Sequence, residues 1–218
     1  MSTVQKLSVA AIATVAVLAG TNSANAALFD GFSITATPGP FTGTPVALPP
    51  SSSVTGGAVV SGSLVNNYAQ PLGYNAPYLT VAPIGSNVAG ATGSATITLP
   101  TLQNDFNLYW GSIDPGNSIS FLDGSTTIAT ITGADLASLG IGVADNSSWS
   151  DPAANQYINF LAGPGVEFNK VVLATTNIAF ESGNFVSAQV PEPTTILGLL
   201  AFGFLGAGSI VKRTSKTA

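Results

Sequence analysis

Ser118-Ile119-Ser120-Phe121-Leu122-Asp123-Gly124-Ser125-Thr126-Thr127-Ile128-Ala129-Thr130-Ile131-Thr132 reads as two strands folded back on each other. Polar and apolar residues alternate from Ser118 to Leu122, the period of a strand with one buried face. Asp123-Gly124 is a turn signal. Alternation resumes over Thr126 to Thr132, but Ile128 and Ile131 are out of phase by one residue, which predicts a bulge between them.

The same pattern extends outward from this hairpin. Ser94 to Leu99 and Phe106 to Trp110 read as strands before it; Tyr157 to Phe160, Phe168 to Leu173 and Ile178 to Phe180 read as strands after it. Short strands with frequent turn signals predict an all-β fold, a single jelly-roll-like β-sandwich. One short helix is expected over Ala134 to Leu139, capped by Thr132. Residues 36–57 are rich in Pro, Gly, Ser and Thr and are expected to form a loop-rich arm. No fixed-period repeat is present, which argues against a solenoid or propeller.

The composition narrows the chemistry. The chain has 218 residues, room for one domain or two small ones. Charged residues make up 7%, far below the roughly 25% of an ordinary soluble protein. There is no Cys, so disulfides and thiolate metal sites are excluded. There is no His, which removes the commonest general base and zinc ligand. No phosphate-binding glycine loop appears. The expectation is a protein that is not an enzyme, although its carboxylates leave a glycan-active enzyme as a lesser alternative.

The two ends carry export signals. Lys6 precedes an apolar run from Leu7 to Ala19, followed by Ala24-Asn25-Ala26. These are the parts of a secretory signal peptide over residues 1–26, cleaved between Ala26 and Ala27. At the other end, Val190-Pro191-Glu192-Pro193 is followed by the uncharged stretch Thr194 to Val211 and then by Lys212, Arg213 and Lys216. As a helix, that stretch spans about 27 Å, enough for a thin hydrocarbon core. The trailing cations hold the tail on the cytoplasmic side.

The triplet, helix and basic tail of residues 191–218 together resemble the PEP-CTERM sorting signal. The resemblance implies recognition by exosortase, a membrane-embedded transpeptidase-like protease, through Pro191, Glu192, Pro193 and Arg213. It also implies export by the general secretion machinery and a temporary membrane anchor, in bacteria that make extracellular polysaccharide. An exported envelope or matrix protein associated with that polysaccharide is the expected function, with a carbohydrate-binding module as the alternative.

Between the ends lies an exported domain, residues 27–190. Its nine acidic groups face Lys170 alone, leaving a formal charge of −8. Such a surface repels nucleic acid; it can attract divalent cations or simply keep the protein soluble. Asp114 and Asn117, in a Pro-Gly turn, can offer oxygen ligands to calcium with Asp123 or Glu181, and are equally ordinary turn formers. No other cofactor is expected. Trp110 falls in an alternating strand and reads as core. Trp149, in a polar loop, and Tyr157 are candidates for stacking on a sugar.

A second resemblance covers about Leu99 to Phe185. The stretch Gly111-Ser112-Ile113-Asp114-Pro115-Gly116-Asn117, the Asp123-Gly124 turn and Phe180-Glu181-Ser182-Gly183-Asn184 are similar to a family of exosortase-dependent surface proteins. That family often has an acidic residue just before the last Asn, where Gly183 stands here. No biochemical activity comes with the resemblance.

Overall fold

The structure, a computed structural model, describes residues 25–45, 51–82, 84–88, 92–142, 149–176 and 179–186. Twelve strands lie among them: β1 (Asn25–Phe29), β2 (Phe32–Pro38), β3 (Ser53–Gly56), β4 (Ala58–Val60), β5 (Tyr78–Val81), β6 (Ser94–Gln103), β7 (Asp105–Gly111), β8 (Asn117–Asp123), β9 (Thr126–Thr132), β10 (Gln156–Ala162), β11 (Phe168–Thr175) and β12 (Phe180–Val186). Helix is limited to α1 (Gly133–Ser138) and a 3-10 turn at Pro152–Ala154.

The strands form two antiparallel sheets. One runs β1-β2-β10-β7-β12-β5-β4 and the other β3-β6-β11-β8-β9. The chain changes sheet at β3 and at β4, between β5 and β6, again at β7, at β8, between β9 and β10, and at β11 and β12. Apolar side chains of both sheets close one core between them, among them Phe32, Phe106, Trp110, Phe121, Phe160, Phe168 and Phe180. Trp110 is fully buried and stacks on Phe180 with ring centroids 4.2 Å apart.

The β8–β9 hairpin follows its sequence closely. Asn117, Ile119 and Phe121 of β8 are buried, and the residues between them are half-buried. Asp123 pairs with Thr126, so Gly124 and Ser125 form a two-residue turn. Gly124 has φ +59°, the left-handed first position of a type II′ turn. Lys170 Nζ donates to the Gly124 carbonyl at 2.8 Å, and Asn169 Oδ1 accepts from its N–H at 2.9 Å. The domain's one cation thus fastens this turn from the central strand β11. Phe121 pairs with Ala129 and Leu122 with Thr127, leaving Ile128 as an extra residue, so the bulge falls at Ile128 itself and not between Ile128 and Ile131. In α1, Thr132 Oγ1 accepts from the Asp135 N–H at 3.1 Å and the Asp135 carboxylate accepts from the Thr132 N–H at 2.9 Å. This reciprocal pair is a capping box.

The N-terminal half carries more strand than its sequence suggests. The expected arm over 36–57 is shorter, because Ala36–Pro38 completes β2 and Ser53–Gly56 forms β3. The alternation that ends at Ala36 simply continues outward from Phe32 and Ile34. The expected cleavage between Ala26 and Ala27 falls inside β1, and Ala24 lies outside the described residues. No described helix is long and apolar enough to cross a membrane; the expected helix 194–211 lies outside the described residues.

Candidate functional site

The outer face of the larger sheet is not open to solvent over β7, β12 and β5. Residues 39–45 and 61–77 lie across it, and a second apolar cluster forms beneath them from Tyr74, Tyr78 and Tyr109, with Phe41, Tyr68 and Tyr157 packed around. Tyr109 points outward from β7, and its hydroxyl lies 2.8 Å from both the Gly39 and Leu72 carbonyls. One proton serves those two acceptors, so this hydroxyl ties both ends of the covering segment to the sheet. Asn155 adds a second tie, accepting from the Leu72 N–H at 3.0 Å.

Gly183 makes this covering possible. A Cβ there would stand 2.5 Å from the Tyr74 ring. That ring cannot retreat easily, because its hydroxyl accepts from the Asn184 N–H at 3.0 Å and Phe41 packs edge-on at 4.8 Å. Asn184 itself adopts φ +55° at the irregularity that interrupts the β12–β7 pairing between Gly183 and Val186. The acidic residue common at this position in the resembled proteins has no room under Tyr74. We expect Gly183→Ala to lower the unfolding free energy by about 1–3 kcal/mol, the usual cost of forcing atoms into a packed site. Urea unfolding measures it. A neutral substitution would mean that Tyr74 is held less firmly than its contacts indicate.

Three of the four candidate calcium ligands are buried at one end of the sandwich. Glu181 is 2% exposed, Asp114 1% and Asn117 0%. Asp114 and Asn117 close the β7–β8 turn, with the Asn117 N–H donating to the Asp114 carbonyl at 3.0 Å. The Asn117 amide nitrogen crosses to the Ala179 carbonyl at 3.3 Å, just before β12. Glu181 projects outward beneath the covering segment, and its Oε1 accepts from the Ala69 N–H at 2.9 Å. Burial pushes the Glu181 carboxyl well above the ordinary carboxylate range; the Ala69 N–H opposes this, and the Asp114 charge adds to it. Asp123 stands apart, exposed at the other end of β8, six residues and about 20 Å of strand from Asn117. Among the described residues no three His, Cys, Asp or Glu side chains group as metal ligands do.

The two aromatic candidates do not form one platform. Trp149 is 46% exposed, and its carbonyl accepts from Asn155 Nδ2 at 2.7 Å. Tyr157 is half-buried in the outer aromatic cluster, hydrogen-bonded to the Asn184 side chain. No ring contact joins the two residues.

What sequence reasoning missed at this end is Thr80. It lies directly across from Glu181 in the β5–β12 register and is fully buried. Neither its place in Tyr78-Leu79-Thr80-Val81 nor its distance along the chain from Glu181 signals that pairing.

Pro191, Glu192, Pro193 and Arg213 lie outside the described residues, beyond Val186 at the end of β12. No curated protein and no solved structure matches the chain. The family model of the PEP-CTERM protein-sorting motif matches residues 189–213, so this chain carries that motif, which implies export and processing by exosortase.

Proposed function

We propose that this chain is a non-catalytic component of the cell envelope or extracellular matrix, sorted by exosortase and associated with exopolysaccharide. The observation that carries the reading is the position of the sorting motif. It begins at residue 189, three residues past Val186, the last residue of the closing strand. A signal read by a membrane protease thus starts almost at the end of the last described strand. The absence of His and Cys from the whole sequence leaves no imidazole base and no thiolate nucleophile.

The exported part reads as one jelly-roll domain. The succession β10-β7-β12-β5 in one sheet faces β9-β8-β11-β6 in the other, so that chain neighbours sit on opposite sheets, as in two interlocked Greek keys. The remaining strands extend the sheet edges. Trp149, half-exposed among polar neighbours, favours a carbohydrate contact as the second reading.

The test is the native host with and without active exosortase. With it, the protein should leave the membrane fraction and reach the surface or medium. Without it, the chain should accumulate in the membrane, held by residues 194–211. An unchanged distribution between the two hosts would sink the sorting role.

A further inference from the structure

We propose that this protein self-associates along the side of the sandwich where β3 and β4 are the outermost strands, two copies meeting edge to edge over an apolar groove. Among the described residues, β3 ends the smaller sheet and β4 ends the larger one. Only Gly57 separates the two strands in sequence, so their edges lie side by side. A strand edge offers backbone N–H and C=O groups without ladder partners, a template for another chain.

The charge pattern selects both this side and the partner. Residues 31–104 contain no Asp, Glu, Lys, Arg or His, and β3 and β4 lie in the middle of that stretch. The other two sheet edges differ. β1 runs directly into Asp30, and β9 is flanked by Asp123 at the end of β8 and Asp135 in α1. The exported domain has a formal charge of −8, so two copies repel each other over most of their surface. Carboxylates set against carboxylates oppose association, and a copy of this chain meets none on β3 or β4. A charged side chain on an edge strand is a common device against pairing; neither strand carries one.

With four residues in β3 and three in β4, backbone pairing alone is small, and apolar side chains must supply the rest. They are present. β12 pairs with β5 only from Phe180 to Ser182. Where that pairing stops, a groove of about 290 Å³ is lined by Pro45, Val54, Val59, Pro77, Leu79 and Phe185, among others. Leu79 and Phe185 belong to the sandwich core, so the groove reaches the margin of the core. Val54 and Val59 line it and are 40% and 73% exposed. Leu64 and Val65, a few residues on, are exposed as well. A two-fold pair uses the same patch on both copies. Val54 and Val59 of each copy then cover the groove of the other and leave water together, which favours association.

Two measurements on the full chain in detergent test this. Sedimentation should show a dimer that Val59→Asp converts to monomer, because the variant sets two carboxylates against each other at the centre of the contact. Val59 is mostly exposed, so the variant should keep the wild-type circular dichroism and melting midpoint measured as a monomer. The second measurement is cross-linking with a short bifunctional maleimide, which reports cleanly because the chain has no Cys of its own. Residues at the centre of an antiparallel pair face their own copies across about 5 Å, so Val59→Cys should give a covalent dimer. Thr127→Cys, on the edge strand β9, should stay monomeric. A wild-type chain that sediments as a monomer would overturn the proposal. So would a dimer that survives Val59→Asp, or one that cross-links no better through Val59→Cys than through Thr127→Cys, since the contact would then lie elsewhere.

Discussion

Replacing Phe121 by Ala should cost about 3–5 kcal/mol of folding free energy, the range for a large aromatic removed from a core that cannot collapse around the gap. Phe121 lies on β8 and is fully buried. Its ring is 4.5 Å from Phe32, 4.8 Å from Phe168, 5.3 Å from Phe160 and 6.4 Å from Phe106. Four of those five rings come from strands of different order in the chain, β2, β7, β10 and β11, so no single loop can move to fill the space. The larger sheet supplies Phe32, Phe106 and Phe160, and the smaller one supplies Phe121 and Phe168. The ring therefore sits where the two sheets meet. A loss of that size is about a fifth or more of the stability of an ordinary domain, and the melting midpoint should fall by roughly 6–20 °C. Thr127→Ala, on the exposed side of β9, should stay within about 0.5 kcal/mol. A Phe121→Ala protein within 1 kcal/mol of wild type would mean that the sheets do not pack as described.

The strands that alternate in sequence are those with one face in the core and the other in solvent. In β8 and β10 the buried and less buried positions follow one another almost without exception, and both are legible. β5 is buried at all four positions and β12 at six of seven. Their outer faces lie under the covering segment, so the period of two disappears: Thr80 and Glu181 are as buried as Leu79 and Phe180. Of the covering segment, only residues 39–45 fall within the stretch that reads as a loop-rich arm, yet Phe41 there and Tyr74 beyond it pack on Tyr109 of the sheet. The calcium candidates were legible as residue types in turns. Their arrangement was not, because Glu181 reaches Ala69 and Thr80 only across more than a hundred residues of chain, and Gly111 of β7 across seventy.

Replacing Glu192 by Ala should leave export intact and block processing. The motif match at residues 189–213 implies the protease, and the chemistry of the triplet explains what it can read. Pro191 and Pro193 donate no backbone hydrogen bond and force the residues before them into extended conformations. Strand β12, the last described strand, ends at Val186, five residues before the triplet begins. Glu192 is the single charge between Glu181 and Lys212, which makes it the one electrostatic feature of the triplet. On the sorting reading proposed above, the uncharged stretch 194–211 would hold the triplet at the membrane, and Lys212, Arg213 and Lys216 would stop its transfer. Without Glu192 the anchor should remain attached, and nearly all of the variant should stay in the membrane fraction of a host with active exosortase. A variant released as efficiently as wild type would remove Glu192 from the recognition.

Intact-mass spectrometry of the wild-type protein from its native host, beside Glu192→Ala, tests the central claim most directly. The account predicts a wild-type chain that begins at Ala27 and lacks Thr194 to Ala218, and a variant that begins at Ala27 and keeps them. A wild-type protein that retains Thr194 to Ala218 while exosortase is active would make the segment a permanent membrane anchor and contradict the account.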